Sequence, residues 1–378
     1  MKTTFRFICA VVMIACFALS SNAQRQTKLY IDNGSGTFTT LTAPGTGGII
    51  TLPSGTGTLG FGTGLPTGAV VAFTDPGTHA GFTSLGVSSP LTSPWTVGAA
   101  LPIGETGATS AVVGGKIYVI GGETGSFNAN QIYDPVANTW SVGAPLPVGQ
   151  YLMTSAVVNG KIYVIGGNNG GENDVQIYDP TTPPGTWSVG TAMPVGQWGM
   201  TSAVVGGKIY VMGGRQGSQA YNQIYDPTTP PGTWSVGTAL PVGEAQLTSQ
   251  AVSGKIYVFG GQSGASTDNQ IYDPTTPPGT WSTGAVLPVG QYGMTSAVLG
   301  GLIYVIGGQL GSGNNNQIYD PVGNAWNSDF ALPVAQFWTT AAAVGGKIYV
   351  IGGANGGGTN NQIYTPGSGI TLFYFTAN

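Results

Sequence analysis

The sequence predicts an all-β protein built from six copies of one repeat. Gly-Gly pairs follow short apolar segments at intervals of 45 or 47 residues, a period typical of closed or stacked arrays of repeats. Glycine and proline are frequent, with 65 and 25 residues among 378, which favours short strands and tight turns. Only 6% of residues are charged whereas 41% are apolar, so the chain can build a core but not charged helix bundles.

The N-terminus has the features of an export signal. Lys2 and Arg6 precede an apolar run from residue 7 to residue 19, and small residues favour cleavage after Ala23. Residues 1–23 are therefore predicted to be a signal peptide. A loose lipobox ending at Cys16 offers an alternative, in which a lipid would anchor the protein. Both cysteines lie in this segment, so we expect an exported protein without disulfides, either secreted, periplasmic or at the cell surface.

The repeats are flanked by two segments of different composition. Residues 24–90 are rich in glycine, threonine, serine and proline, and are predicted to be a linker or stalk that could support self-association. Residues 91–366 contain the repeats, and residues 367–378 are predicted to form a tail strand. No segment after the signal is long and apolar enough for a transmembrane helix.

Each repeat predicts four short strands, which we letter a to d. In the third repeat, Thr201–Val205 reads as strand a and Lys208–Met212 as strand b, joined by a Gly-Gly hairpin. Strand c carries Gln223-Ile224-Tyr225, and strand d starts at Trp234. The corresponding tryptophans of all repeats are Trp95, Trp140, Trp187, Trp234, Trp281 and Trp326.

This pattern of an apolar strand, Gly-Gly, a tyrosine and then a tryptophan resembles the kelch repeat from Trp95 to Tyr364. The resemblance implies a six-bladed β-propeller of four-stranded blades around a central channel. No tryptophan follows Tyr364, whereas Trp95 precedes the first Gly-Gly pair. We therefore expect an N-terminal d strand at Trp95 to join the C-terminal blade and close the ring, which would remove a free sheet edge.

The candidate binding residues lie in the loops between strands d and a and between strands b and c, which share one face of the ring. Ten residues after each repeat tryptophan stands an amide or carboxylate, and the next residue is often aromatic. The ligand-binding candidates from these positions are Gln150, Tyr151, Gln197, Trp198, Gln291, Tyr292, Gln336 and Phe337. Arg215 is added as a possible carboxylate anchor from a second variable ring after the Gly-Gly pairs. Aromatic rings with amides suit a glycan or an extracellular protein.

Three classes of function remain open from the sequence. We favour a non-enzymatic binding propeller, because no catalytic triad or metal-ligand cluster is present and no cofactor is predicted. The resemblance also extends to exported bacterial kelch proteins such as N-acetylneuraminate epimerase, for which Glu105, Glu244, Glu123 and Arg215 would be the candidates. A structural appendage is the third possibility. Copper oxidase chemistry and nucleic-acid binding are excluded, because cysteines and basic residues are too few.

Overall fold

A computed structural model describes residues 93–215, 219–262, 267–310 and 312–366, and four further strands outside these ranges. Residues 94–366 form one compact unit, and the four strands outside this range belong to a second unit. The predicted signal peptide lies outside the described residues, as do most of the 24–90 segment and the start of the tail. No helix in the described part of the chain is long and apolar enough to cross a membrane.

The unit at 94–366 is a six-bladed β-propeller, as predicted, and each blade is a four-stranded antiparallel sheet in the order a-b-c-d. Blade 1 comprises Thr109–Val113, Lys116–Ile120, Asn130–Asp134 and Thr139–Val142. Blade 2 comprises Thr154–Val158, Lys161–Ile165, Val175–Asp179 and Thr186–Val189. Blade 3 comprises Met200–Val205, Lys208–Gly213, Asn222–Asp226 and Thr233–Val236.

The remaining blades repeat this arrangement. Blade 4 comprises Thr248–Val252, Lys255–Phe259, Asn269–Asp273 and Thr280–Thr283. Blade 5 comprises Thr295–Leu299, Leu302–Ile306, Asn316–Asp320 and Ala325–Ser328. Blade 6 comprises Thr340–Val344, Lys347–Ile351, Asn361–Tyr364 and Trp95–Val97, with a short 3-10 helix at Gly356–Gly358.

The blades form a ring whose innermost strands touch one another in sequence. Strand a of each blade contacts strand a of the next, and strand a of blade 6 contacts that of blade 1. In blade 6, the strand at Trp95–Val97 pairs with strand c in antiparallel register, with Tyr364 opposite Trp95. One sheet of the propeller therefore combines strands from both ends of the repeat region.

The predicted a–b hairpins have the expected backbone conformation. In blade 2, Asn159 and Gly160 occupy the two turn positions between strands a and b, with φ angles of 50° and 74°. A two-residue turn with positive φ at both positions matches the right-handed twist of the strands that it joins. The Asn-Gly pair therefore fixes the register of this hairpin.

The repeat glutamine holds the d–a loop that precedes its own blade. Gln131 accepts a hydrogen bond from the Ile103 amide at 2.8 Å and donates one to the Ile103 carbonyl at 2.9 Å. The same two bonds recur in every blade, always to a residue 28 positions earlier. Because these amides are buried, leaving their partners unpaired would be costly.

The repeat tryptophan packs on the repeat tyrosine of its own blade and is hydrogen-bonded to the segment that follows the preceding blade. In blade 1, the rings of Tyr133 and Trp140 lie 4.9 Å apart, and the Trp140 indole donates to the Ala99 carbonyl at 2.9 Å. Similar contacts occur in all six blades. The hydrophobic cores lie between adjacent blades, where apolar residues of one strand b face those of the next. Each blade is thus stabilised by its neighbours.

The Gly-Gly pairs are required by two close approaches. At the first glycine of the fifth pair, Gly307, an added Cβ would lie 2.5 Å from the Gln336 carbonyl of the next blade. At the second glycine, Gly308, a Cβ would collide with the side chain of Gln291. Both glycines have positive φ, at 72° and 112°. Side chains are therefore excluded by contact as well as by backbone conformation.

Outside the propeller, the second unit contains two antiparallel strand pairs. Lys28–Asp32 pairs with Phe38–Thr42, and Phe82–Gly86 pairs with Tyr374–Ala377. A strand of the C-terminal tail therefore pairs with a strand of the 24–90 segment.

Candidate functional site

A cavity of about 360 Å³ lies where the d–a and b–c loops meet. These two sets of loops share one face, as the sequence predicts. The residues that line the cavity are Glu123, Tyr151, Leu152, Asn168, Trp198, Arg215, Gln246, Gln262, Tyr292, Gln309 and Trp338. The volume is at the lower end of the range for small-molecule sites.

The two variable rings are joined blade by blade through backbone hydrogen bonds. In blade 3, the Arg215 amide donates to the Trp198 carbonyl at 3.0 Å, and in blade 5 the Gln309 amide donates to the Tyr292 carbonyl at 2.9 Å. Each of the other four blades has the equivalent bond. Only backbone atoms make these bonds, so the side chains at both positions can vary without loss of the bonds, and eight of the twelve residues line the cavity.

Arg215 and Trp198 form a cation–π pair in the lining of the cavity. The Arg215 guanidinium lies 5.0 Å from the centre of the Trp198 ring, and it donates to Gln262 Oε1 at 3.0 Å. The indole face attracts the cation, which restrains the guanidinium. Arg215 is the one arginine between residues 93 and 366. The remaining guanidinium N–H groups suit a carboxylate or a carbonyl oxygen.

The rest of the rim combines aromatic rings with amides. The Asn168 amide donates to the Tyr151 hydroxyl at 2.8 Å, and the Tyr151 ring packs against Phe127 with 5.9 Å between ring centres. Tyr292, predicted to bind ligand, and Glu123, named for an enzymatic role, also line the cavity. Flat apolar faces therefore alternate with hydrogen-bonding groups around the cavity.

The four glutamines predicted to bind ligand occupy a different place. Gln150, Gln197, Gln291 and Gln336 are each 0% exposed, and none of them lines the cavity. Gln336 accepts a hydrogen bond from the Asn355 amide at 3.1 Å and donates one to the Asn355 carbonyl at 2.6 Å. The expectation that this ring faces a ligand is corrected accordingly, because the side chains turn into their own blade, where at least Gln291 and Gln336 hold the b–c loop.

Phe337 is also displaced from the predicted site. Its side chain does not line the cavity but packs edge to face on Trp338, with 5.3 Å between ring centres. Trp338 does line the cavity, so Phe337 contacts a lining residue without lining the cavity itself.

The four residues named for an enzymatic role divide into two pairs. Glu123 and Arg215 line the cavity, whereas Glu105 and Glu244 are 1% and 0% exposed and do not line it. Burial raises the pKa of Glu105 to about 7, although hydrogen bonds from the Ser126 and Gly125 amides lower it in part. The described residues contain no cluster of three histidine, cysteine, aspartate or glutamate side chains that could hold a metal ion.

Leu152, Gln246 and Trp338 line the cavity at a repeat position that the sequence analysis did not consider. Each directly follows the loop position that holds Tyr151, Trp198 or Tyr292 in three of the blades, and each has positive φ, between 53° and 57°. The equivalent residues of the other three blades are Gly107, Gly199 and Gly293. The signal in the sequence is this alternation of glycine with a large residue around the ring.

The architecture defines a propeller with a cavity lined by the loops of one face. The family description "KLHDC2/KLHL20/DRC7 Kelch-repeats domain" matches residues 107–240, and the "Kelch motif" matches residues 292–328. Two parts of the propeller therefore match kelch repeats, which supports a kelch-repeat family in agreement with the resemblance of the repeats.

Solved structures support the same fold. One of them, described as "Structure of YjhT", matches with a TM-score of 0.60 and 20% identity, over 70% of this chain and 95% of that one. In total, 547 chains of solved structures match. At this identity the likeness to YjhT concerns the fold alone. No curated protein matches the sequence.

Proposed function

We propose that this protein is a carbohydrate-binding kelch propeller that binds the end of a glycan in the cavity described above. The observation that carries the proposal is the lining, which contains four aromatic side chains, Tyr151, Trp198, Tyr292 and Trp338. Sugar rings present apolar C–H faces with hydroxyls at their edges, so they need flat aromatic surfaces beside hydrogen-bonding groups.

The polar groups of the rim suit the edge of a sugar. Asn168, Gln262 and Gln309 offer both donors and acceptors, and Arg215 offers donors only. The size of the cavity favours one or two sugar rings over the broad contact surface that recognition of a folded protein uses, since such an interface buries about 800 Å² on each partner. Binding of a peptide terminus is the outcome that would redirect the proposal toward a protein ligand.

The proposal is tested by glycan-array binding, with the double variant Trp198→Ala/Tyr292→Ala beside the wild type. We expect specific binding by the wild type and its loss in the double variant, because two stacking faces are removed. Tyr221→Ala is the matched control, since this partly exposed tyrosine of the blade 3 b–c loop does not line the cavity. Unchanged circular dichroism of all variants ensures that loss of binding is not loss of folding.

Two results would contradict the proposal. Binding that survives in the double variant would place the glycan elsewhere, and an array without a specific signal would remove the case for carbohydrate. In the second case, a screen of peptides with free termini against the same variants decides between a protein ligand and a structural role.

An enzymatic role in sugar isomerisation is the second candidate, because Glu123 lies on the cavity with Arg215. A carboxylate can accept a proton from a bound sugar, and the guanidinium can hold a carboxylate or carbonyl group of that sugar. Saturation-transfer NMR of anomer exchange in a bound sugar distinguishes the two functions. Catalysis predicts faster exchange that Glu123→Gln abolishes while the affinity persists, whereas binding alone predicts no acceleration.

The proposal includes export through the segment at residues 1–23, on the sequence features described above. Mass spectrometry of the protein purified from its source should give a chain that starts at Gln24. A chain that starts at a lipidated Cys16 would instead support membrane anchoring, and an uncleaved chain would contradict export by this signal.

A further inference from the structure

The floor of the cavity is a closed ring of backbone hydrogen bonds with a regular alternation of residues. Six amides each donate to the carbonyl of the preceding ring member, at distances between 2.7 and 2.9 Å. The members, in order, are Gly107, Leu152, Gly199, Gln246, Gly293 and Trp338, and the Gly107 amide donates to the Trp338 carbonyl. The ring therefore runs once around the channel, with a side chain at every second position.

Each of these side chains leans over the glycine that precedes it. An added Cβ on Gly293 would lie 2.8 Å from Trp338 Nε1, and one on Gly199 would lie 3.5 Å from Gln246 Cγ. Trp338 Nε1 therefore lies over the ring member that is bonded directly to Gln246. Glycine at alternate positions is what leaves room for three large side chains in so narrow a ring.

Leu152, Gln246 and Trp338 separate two spaces along the channel. They line the cavity of about 360 Å³ and also a second cavity of about 100 Å³. A side chain that borders both spaces stands at the boundary between them. These three residues consequently define the depth to which a ligand can enter from the rim.

Two polar atoms at this boundary have no hydrogen-bond partner among the residues that the structure describes. Gln246 Oε1 is an acceptor on a side chain that is 7% exposed, and Trp338 Nε1 is a buried donor. A buried polar group without a partner costs free energy, and a ligand that supplies the partner recovers it. Leu152 brings no polar atom to the third position, so the hydrogen-bonding capacity of the floor lies on one side.

We infer that Gln246 and Trp338 are specificity-determining residues that recognise a hydroxyl group at the inner end of the ligand. A hydroxyl can accept from Trp338 Nε1 and donate to Gln246 Oε1, whereas a methyl or a hydrogen at that place leaves both unpaired. Sites built around buried polar groups discriminate strongly against analogues that lack the matching group. The inference rests on the proposed carbohydrate function and states which end of the sugar the site selects.

The test uses four free saccharides as probes, namely maltose, cellobiose, lactose and N,N′-diacetylchitobiose, with the indole ¹⁵N–¹H resonances as the readout. The resonances of Trp198 and Trp338 are assigned from Trp198→Phe and Trp338→Phe. A saccharide that binds should shift both resonances, since Trp198 reports the rim and Trp338 reports the floor. A shift of the Trp198 resonance alone overturns the inference while the proposed function stands. No shift of either resonance with any probe overturns both.

Affinity measurements with the same saccharide give an independent result. Trp338→Phe and Gln246→Met each remove one polar atom and keep the bulk, so each should weaken binding by about fivefold to tenfold. Leu152→Met changes the shape of the floor at the third ring position without removing a polar atom, so it should weaken binding less than either of the other two variants. Equal losses in all three variants would indicate a purely steric floor and would overturn the inference.

Discussion

The buried carboxylate of Glu105 predicts a pH-dependent weakness of the fold that a single substitution should remove. Four of the six blades have glutamine at the equivalent position, and Glu105 is only 1% exposed. Burial raises its pKa to about 7 from an ordinary value of 4.5. Since the folded protein binds this proton more tightly than the unfolded chain does, the contribution to stability is full below pH 4.5 and is lost as the pH rises through 7.

The size of the effect follows from the pKa shift. One pKa unit corresponds to about 1.4 kcal/mol, so ionisation of Glu105 at pH 8 costs about 3 kcal/mol as an upper value. Glu105→Gln removes that cost. The carboxylate of Glu105 accepts hydrogen bonds from two backbone amides, and the NH2 group of a glutamine cannot accept one of them. Loss of the longer bond, 3.3 Å from the Gly125 amide, costs about 1 kcal/mol. We therefore expect the variant to be more stable than the wild type by about 1–3 kcal/mol at pH 8.

Urea unfolding at a series of pH values measures this difference directly. The advantage of Glu105→Gln should be small at pH 4.5, should grow toward pH 7 and should then level off. Glu123→Gln in the same blade is the control, since this side chain is exposed and should give no such gain. A difference between wild type and Glu105→Gln that does not vary with pH would refute the reasoning, because Glu105 would then bind its proton equally in the folded and unfolded states.

Three further predictions concern the ring itself, and urea unfolding measures each of them. Inner strands are joined by threonine–serine hydroxyl bonds of 2.5–2.8 Å at five of the six blade junctions. At the sixth, Thr295 is matched by Ala341, so Ala341→Ser should stabilise the protein by about 0.5–1.5 kcal/mol, and no gain would contradict the pairing. Gly307→Ala and Gly301→Ala have similar φ angles of 72° and 79°, but only the first meets a carbonyl, so it should cost about 2 kcal/mol more than the second. Trp95→Ala should cost about 3–5 kcal/mol if the strand at 95–97 closes the ring, and a loss below about 1 kcal/mol would argue against closure.

The fold could be predicted because each repeated residue has a partner at a fixed distance along the chain. Gln131 binds Ile103, and the same offset of 28 residues recurs in every blade. A motif of this kind carries its own tertiary contact, so six copies in register specify six equal sheets. The limits of strands a and b and the start of strand d in blade 3 were accordingly predicted to within one residue.

The site could be predicted only in part, because three consecutive loop residues of one blade lie in three different environments. In blade 5, Gln291 is buried, Tyr292 is on the rim and Gly293 is in the floor ring. Strand alternation would place the first and third on the same side, but the positive φ of Gly293, at 63°, breaks that alternation. The sequence therefore identifies which positions vary without showing which of them a ligand can reach.

The asymmetry of the rim is the strongest indication that these positions serve binding. The frame itself is nearly six-fold, and at the rim it is joined by backbone hydrogen bonds, which any residue but proline can make. Folding therefore does not require different residues from blade to blade at the position that follows the repeat amide or carboxylate. Yet the six residues there are Thr106, Tyr151, Trp198, Ala245, Tyr292 and Phe337. A symmetric lining would hold a small asymmetric ligand in six equivalent orientations. With an arginine in one blade, a glutamate in another and aromatic residues in some blades only, the sugar of the proposed function would use all of these groups in a single orientation.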